Sequence, residues 1–213
     1  MSTLLCVWNT VLEALFPVSG AEKELFSLTP EKALNELPAA PAPPIINAAS
    51  IFAYKDDRVA KLVWNIKYKK SMRAVEIGGY ALYRELLTSD LSKVIIVPMP
   101  ITPRRRRERG FNQCELLVDE IARLDEERRF IIEKYLLKRI HHASRQTLKD
   151  RGDRLESAKG IFATGQEVAE RFPRDSKIII IDDVITTGST MREAIEILRN
   201  AGFEDVVGLS LAH

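Results

Sequence analysis

Apolar residues are distributed along this chain in two patterns, one typical of amphipathic helices and one typical of buried strands. Helical spacing, with apolar residues at i, i+3, i+4 and i+7, predicts helices at 4–16, 59–66, 112–124 and 191–198. Short apolar runs predict strands at 49–54, 94–97, 134–138, 178–181 and 206–211. Uninterrupted runs are typical of strands covered on both faces, so we expect a buried, mainly parallel sheet flanked by helices.

The last part of the chain has the order strand, helix, strand. The run at 178–181 is followed by the helix at 191–198, by Gly202, which can cap that helix, and by the strand at 206–211. This order is that of a βαβ unit, in which a right-handed crossover joins two parallel strands. The C-terminal third is therefore predicted to belong to the α/β class.

The first 44 residues differ in pattern from the rest of the chain. The predicted helix at 4–16 has one apolar face, is too short to span a bilayer and lacks the leader and cleavage site of a signal peptide. We expect this face to pack in a core or to form a homodimer contact rather than to enter a membrane. The proline-rich segment at 38–44 is predicted to be a semi-rigid spacer. We therefore divide the chain into an N-terminal helical extension at 1–44 and one α/β domain at 45–213.

Composition and charge exclude several classes of protein. The chain has 213 residues, of which 46% are hydrophobic and 29% charged, as in ordinary globular proteins. The net charge of +2 is too small to indicate a nucleic-acid coat, although a local cluster can still bind one. Cys6 and Cys114 can build neither a disulfide framework nor a four-thiolate zinc site, which fits a reducing cytoplasm. Cys114 lies on the apolar face of a predicted helix, so we expect a core residue rather than a nucleophile.

The most informative segment is 178–190, in which a buried strand is followed by two acids and a hydroxyl-rich loop. Open parallel sheets bind ligands at the carboxyl ends of their strands, where Asp182 and Asp183 can accept hydrogen bonds from vicinal ribose hydroxyls. The loop opens a helix, whose free N–H groups and dipole favour a phosphate. An ordinary helix cap is the alternative, but a cap explains one such residue and not seven.

This segment resembles the signature motif with which type I phosphoribosyltransferases bind 5-phosphoribosyl 1-pyrophosphate. The resemblance implies a Rossmann-like α/β fold with a mainly parallel sheet flanked by helices. It also implies that Asp182 and Asp183 hold the ribose 2- and 3-hydroxyls. The 5-phosphate would be bound by the loop residues Thr186, Thr187, Gly188, Ser189 and Thr190.

A second cluster follows the predicted strand at 94–97 and contains five arginines between positions 104 and 109. Arginine suits a bound anion because its planar guanidinium is always charged. A solvated basic face or a nucleic-acid patch is the alternative. In a phosphoribosyltransferase this loop and a flexible cationic flap would hold the departing pyrophosphate. The residues that we assign to this role are Pro98, Met99, Pro100, Arg104, Arg105, Arg109, Gly110, Asn112 and Gln113.

A narrower resemblance comes from Val-Pro-Met-Pro at 97–100 and Arg-Glu-Arg-Gly-Phe-Asn-Gln at 107–113. These segments resemble the hallmark of the ComF family, a branch of phosphoribosyltransferases associated with DNA uptake in competent bacteria. Ile-Lys-Tyr at 66–68 resembles the family's entry segment, and Arg139 matches its middle segment, so the likeness covers roughly 52–212. Many members begin with a cysteine-rich zinc module, but 17–50 contains no cysteine here, so we predict no zinc. Ser157 stands where the family usually has asparagine. His141 and His142 are expected to be exposed loop residues.

The resemblance implies an enzyme, with two alternatives. The enzyme would bind phosphoribosyl pyrophosphate with magnesium held through the pyrophosphate, and would transfer the phosphoribosyl group to a nitrogenous acceptor. Its catalytic residues would be Asp182, Asp183 and Arg109. The first alternative is a non-catalytic competence factor that binds single-stranded DNA through basic loops, Tyr68 and Phe111. The second is a regulator that senses nucleotide precursors. In each case we expect a cytoplasmic protein without stable membrane insertion.

Overall fold

The computed structural model describes residues 19–88, 94–140 and 161–213, whose strands form a parallel sheet and a small antiparallel ribbon. The sheet contains β1 (Ala48–Phe52), β2 (Val94–Pro98), β3 (Phe130–Ile132), β6 (Ile178–Val184) and β7 (Val206–Ala212). The ribbon pairs β4 (Leu137–Arg139) with β5 (Phe162–Thr164). The order across the five-stranded sheet is β1-β7-β6-β2-β3, and every pairing in it is parallel. The predicted α/β fold with a mainly parallel sheet is thus confirmed.

The helices cover both faces of the sheet. They are α1 (Gly20–Ser27), α2 (Pro30–Glu36), α3 (Asp57–Trp64), α4 (Met72–Leu86), α5 (Pro103–Arg109), α6 (Gln113–Leu124), α7 (Gln166–Ala169) and α8 (Ser189–Asn200), with a π-helix (Asn65–Lys69) that continues α3. Most begin at a side chain that accepts a hydrogen bond from the first turn, since this satisfies an otherwise unpaired N–H group. These capping residues are Ser19, Thr29, Asp56, Ser71, Thr102 and Asn112.

The sheet is buried on both faces, as the uninterrupted apolar runs predicted. In β6, Ile179 and Ile181 contribute to a core shared with α1 to α4 and α6, whereas Ile178 and Ile180 contribute to a core shared with α8 and the ribbon. The faces alternate because successive side chains of a strand point in opposite directions. All four isoleucines are 5% exposed or less. Burying each side chain stabilises the fold by about 1.5–3 kcal/mol, so this strand anchors both halves of the molecule.

The segment before β1 is tied to the sheet. Leu25 of α1 and Ala33 of α2 are fully buried in the same core as β6. Within the proline-rich segment, the Ala40 N–H donates to the Ile51 carbonyl over 2.8 Å, and the Ala53 N–H donates to the Pro38 carbonyl over 2.8 Å. The segment therefore lies along the outer edge of β1. The division of the chain near residue 45 stays a prediction.

Several elements differ from the sequence-based expectation. The prediction of one strand at 134–138 is wrong in its bounds. Residues 130–132 form the edge strand β3, and residues 137–139 form β4, which pairs with β5 in the ribbon. Helices α1, α2, α4, α5 and α7 were not predicted. The predicted helix at 4–16 lies outside the described residues, as do His141, His142 and Ser157. Within the described ranges, no helix combines the length and the apolar character needed to cross a membrane.

Candidate functional site

The two segments singled out by the sequence meet at one edge of the sheet. Strands β2 and β6 are neighbours, with Pro98 in register with Ile181, and the Met99 N–H donates to the Ile181 carbonyl over 2.8 Å. The loop at 98–100 and the acids that follow Ile181 therefore lie side by side. This is the ligand-binding edge of an open parallel sheet, formed by the carboxyl ends of its strands.

The acid pair consists of two carboxylates held by the backbone of β6. Asp182 accepts a hydrogen bond from the Asp183 N–H over 2.9 Å, and Asp183 accepts one from the Val184 N–H over 3.0 Å. Asp183 is only 3% exposed, whereas Asp182 is partly open to solvent. The Cys114 thiol of α6 donates to Asp182 Oδ1 over 3.5 Å. Both carboxylates are thus fixed in place before any ligand arrives.

Burial changes the protonation of this cluster. It raises the pKa of Asp182 to about 7, and the adjacent charge of Asp183 adds to that shift because two close carboxylates resist ionising together. Burial also raises the pKa of the Cys114 thiol well above its ordinary value, and the acids add to this shift. Cys114 is fully buried, which confirms the prediction that it is a core residue. A protonated, buried thiol is a poor nucleophile.

A lysine that the sequence did not single out for the site completes the acid pair. Lys67 Nζ lies 3.0 Å from Asp183 Oδ2, and its side chain comes from the π-helix that continues α3. The Lys67 side chain is 23% exposed and that of Asp183 is 5% exposed. Lys67 belongs to a segment that resembled the ComF entry region, but only the fold shows that this segment reaches β6. Spacing along the chain could not have identified the pair.

The hydroxyl-rich loop leads directly into α8. Gly188 has φ = 76° and ends the loop, and a side chain at this position would collide with the buried Ile45. Thr187 Oγ1 lies 3.1 Å from Ser189 Oγ, so both hydroxyls sit beside the first turn of α8. The N–H groups of this turn have no partner within the helix, and the helix dipole adds a partial positive charge there. The loop is therefore arranged to bind an anion.

The arginine cluster forms helix α5 rather than the flexible flap that the sequence suggested. Thr102 caps the helix by accepting from the Arg105 N–H over 3.2 Å, and Pro103 starts it, because proline suits the first helical turn. Arg104 pairs with Glu108 over 2.7 Å, and Arg106 pairs with Glu115. Arg105 and Arg107 form no ion pair within the described ranges, so these two exposed guanidinium groups are available to an anion.

The end of α5 is tied back to the sheet. Gly110 has φ = 79° and ends the helix. Asn112 is buried; its side chain donates to the Met99 carbonyl over 3.1 Å and accepts from the Cys114 N–H over 3.0 Å. Arg109 donates to Gln113 Oε1 over 3.1 Å. In the structure Asn112 and Gln113 therefore fix the loop and Arg109, and their contact with a ligand stays a prediction.

One more basic residue faces the cluster from the ribbon. Arg139 lies over the ring of Phe162, with 5.2 Å between the guanidinium carbon and the ring centroid. Burial lowers the pKa of Arg139, and the nearby charge of Arg105 lowers it further, while Glu193 and Asp182 oppose this shift. The ribbon thus brings a cation close to both the arginine helix and the acid pair. The sequence indicated Arg139 as part of a basic segment and as a match to the family's middle segment, but not as a neighbour of the acid pair.

The donor atoms at the acid pair can be compared with what a metal ion requires. Ligand atoms of Cys114, Asp182 and Asp183 lie within 4.8 Å of one another. Magnesium prefers oxygen ligands in an octahedral arrangement, and the protonated thiol is not one of them. The two carboxylates alone do not make a closed magnesium site. Two carboxylates could supply part of a magnesium coordination shell, and the remaining ligand oxygens would have to come from other molecules.

Comparison with known proteins agrees with this geometry. Residues 139–211 match the family model of the phosphoribosyl transferase domain. The chain is 32% identical over 120 residues to competence protein F of Haemophilus influenzae, covering 55% of this chain and 49% of that protein. It is 31% identical over 159 residues to competence protein ComFC of Streptococcus pneumoniae, covering 71% and 66%, and 28% identical over 159 residues to ComFC of Bacillus subtilis, covering 72% and 58%. The matches thus span about half to two thirds of these relatives' own lengths.

Proposed function

Because this chain belongs to the ComF family of type I phosphoribosyltransferase-like proteins, we propose that it binds 5-phosphoribosyl 1-pyrophosphate with magnesium and transfers the phosphoribosyl group to a nitrogenous acceptor. One observation carries the proposal. The fixed acid pair, the anion-binding turn of α8 and the loop at 98–100 lie together at the carboxyl ends of β2 and β6. A sugar with a phosphate at one end and a pyrophosphate at the other requires these three groups together.

The acid pair supplies the ribose half of the site. Asp182 and Asp183 would accept hydrogen bonds from the ribose 2- and 3-hydroxyls, since each carboxylate keeps lone pairs that its backbone contact does not use. The 5-phosphate would lie at residues 186–190, against the first N–H groups of α8. The acid pair would hold the ribose hydroxyls and the loop would hold the 5-phosphate. The sugar would then present its anomeric carbon to the acceptor in one orientation.

The arginine helix and the loop at 98–100 supply the pyrophosphate half. A nitrogen of the acceptor would form a bond to the anomeric carbon as the bond from that carbon to pyrophosphate breaks, and the proton lost by this nitrogen would pass to solvent water. Arg105 and Arg109 would stabilise the negative charge that develops on the departing oxygen. Magnesium, if held with the pyrophosphate, would supply positive charge there. Little covalent chemistry falls to the protein, so positioning and electrostatic stabilisation account for the catalysis.

Calorimetric titration of phosphoribosyl pyrophosphate, with and without magnesium, tests this proposal. We expect magnesium-dependent binding by the wild-type protein and none by the double variant Asp182→Asn with Asp183→Asn. A matched control is Asp175→Asn with Glu204→Gln, since these exposed acids precede β6 and β7 at the opposite edge of the sheet. Unchanged affinity in the double variant, with both proteins folded, would overturn the proposal.

A second function has one specific observation in its favour. Trp64 is 43% exposed and Tyr68 is 59% exposed, and Lys69 and Arg109 lie over their rings at 5.0 and 4.9 Å. Exposed aromatic rings among cations suit single-stranded DNA, because bases stack on the rings while the cations contact phosphates. This would be the role of a non-catalytic DNA-uptake factor.

The two functions differ in their response to salt. Binding of a labelled single strand would weaken steeply as the salt concentration rises, because phosphate contacts release counterions. Trp64→Ala should then weaken DNA binding and leave phosphoribosyl pyrophosphate binding unchanged. Failure to detect any shift of the strand at low salt would exclude the DNA function. The proposed cytoplasmic location is common to both.

A further inference from the structure

The π-helix Asn65–Lys69 contacts both halves of the candidate site. Its wider turn leaves the Asn65 carbonyl to accept from the Lys70 and Ser71 N–H groups, and Lys70 ends it with φ = 50°. The buried Asn65 side chain donates to the Lys61 carbonyl over 2.9 Å, which stabilises this unusual turn. Single π-turns inside helices are rare and are frequent at functional sites.

The first contact joins the π-helix to the ribose half. Lys67 Nζ lies 3.0 Å from Asp183 Oδ2. The Asp183 side chain is only 5% exposed, so the charge of Lys67 acts on it with little screening by water. Asp183 Oδ1 accepts from the Val184 N–H, whereas the buried Oδ2 accepts no hydrogen bond within the described residues, so the ion pair with Lys67 is the contact that this oxygen has.

The second contact joins the same turn to the pyrophosphate half. The guanidinium carbon of Arg109 lies 4.9 Å from the ring centroid of Tyr68. Arg109 is half-buried, in contrast to the exposed Arg104 to Arg107 of the same helix. Stacking on a ring and a hydrogen bond to Gln113 restrict the guanidinium to one place, which reduces the entropy lost when it binds an anion.

Helix α1 contacts the π-helix through an ion pair. Lys69 Nζ lies 3.2 Å from Glu22 Oε1, and Glu22 is a buried residue of α1. Arg58 of α3 pairs with Glu24 of α1 over 2.8 Å. The N-terminal helices therefore fix the π-helix against the site, and consecutive residues of one turn are directed to different partners.

We propose that the π-helix positions one residue in each half of the site, with Lys67 and Tyr68 as the positioning residues. Lys67 acts through Asp183 on the ribose hydroxyls, and Tyr68 acts through Arg109 on the pyrophosphate. This inference rests on the proposed binding of phosphoribosyl pyrophosphate and assigns to the family-like segment at 66–68 a role in it.

Fragments of the ligand separate the two contacts. We would measure the affinity for phosphoribosyl pyrophosphate, ribose 5-phosphate and magnesium pyrophosphate by calorimetry, and by ligand-observed NMR where binding is weak. Lys67→Met should weaken ribose 5-phosphate binding about tenfold or more, since it leaves the buried Asp183 carboxylate without its cation, and should leave pyrophosphate binding unchanged. Tyr68→Leu should weaken pyrophosphate roughly three- to tenfold and leave ribose 5-phosphate unchanged. Both variants should weaken the complete ligand.

Conservative variants and a matched charge removal serve as controls. Lys67→Arg and Tyr68→Phe should restore most of the affinity, because they keep the cation and the ring. Lys61→Met removes a charge on the preceding turn, 5.7 Å from the Trp64 ring centroid, and should change neither fragment. Thermal unfolding checks that each variant is folded.

Several outcomes would overturn the inference. Equal losses of affinity for both fragments in either variant would indicate a purely structural role. Unchanged affinities would also contradict the inference. Tighter binding of ribose 5-phosphate by Lys67→Met would show that Lys67 competes with the sugar. A wild-type protein that binds none of the three ligands would instead overturn the proposed function and the inference with it. Wild-type binding with unaltered variants would overturn the inference alone.

Discussion

The acid pair and the arginine helix lie at neighbouring strand ends, but Asp183 is buried and Asp182 is only partly exposed, whereas most of the arginine helix faces solvent. Asp183 is 3% exposed, is fixed by the backbone of β6 and has its own cation in Lys67. Arg104 to Arg107 are exposed, and two of them pair with neighbouring glutamates. Interactions in the buried half are little screened by salt, whereas those in the exposed half are strongly screened.

Under the proposed function, this difference would give each half of the site a separate task. A buried and preorganised acid pair can distinguish a ribose from other diols, because its carboxylates cannot rotate to suit another partner. An exposed set of cations attracts any anion and adds to the rate of its arrival. We therefore expect the ribose half to determine specificity and the arginine half to determine the salt dependence of binding.

The largest effect is expected from Gly188→Val, which disrupts the hydroxyl-rich loop between the acid pair and α8. Gly188 has φ = 76°, which a β-branched residue rarely adopts, and the new side chain would collide with Ile45. We expect a loss of about 2–4 kcal/mol in the free energy of unfolding, measured with urea, and a loss of phosphoribosyl pyrophosphate binding. Gly202→Val is the control for binding, because Gly202 also has a positive φ but follows α8 at its other end. This variant should lose stability and still bind phosphoribosyl pyrophosphate. Retained binding by folded Gly188→Val would contradict the role of this loop.

An intermediate effect is expected from the pH dependence of stability. The folded state raises the pKa of Asp182 from its ordinary 3.8 to about 7, so it binds this proton more tightly than the unfolded chain does. The resulting stabilisation is fully present below about pH 4 and is lost as pH rises through about 7. Asp182→Asn has no such loss, so it should gain about 1–2 kcal/mol over the wild-type protein between pH 5 and pH 8, with allowance for partial exposure.

Urea unfolding at the two pH values checks this expectation, and Asp175→Asn, an exposed acid, is the control. A difference between Asp182→Asn and wild-type protein that does not change with pH would show that the carboxylate titrates normally. The comparison between a buried and an exposed half would then fail at its central residue.

The smallest effect is expected from the exposed arginines. Arg105→Gln with Arg107→Gln should weaken phosphoribosyl pyrophosphate binding about threefold at low salt and flatten its dependence on salt, while the melting temperature stays unchanged. Arg84→Gln with Arg128→Gln removes the same charge from exposed positions on α4 and before β3, and should change neither. A loss of affinity that persists at high salt would instead place these arginines in a desolvated contact.

Local sequence features predicted much of the fold. Ile178 to Ile181 and Val94 to Val97 indicated buried strands because their apolar runs are uninterrupted, and both strands lie in the sheet as expected. Helix α6 was predicted from apolar residues at helical spacing. Helices α1 and α2 were missed because each is short and largely polar, so only a few positions, such as Leu25 and Ala33, face the core. Short elements of this kind depend on tertiary packing rather than on pattern.

The sequence by itself determined the chemistry of the motif at 178–190, since two acids after a buried strand and a glycine before a helix are local features. Only the tertiary structure decided which cation meets which acid. Lys67 and Asp183 are far apart in the chain, and they meet because α3 and its π-helix pack over the carboxyl end of β6. The same packing decided that Arg109 stacks on Tyr68 while its neighbours on α5 remain exposed. Local propensity cannot specify such pairs, because they arise from the burial of distant apolar faces against one sheet.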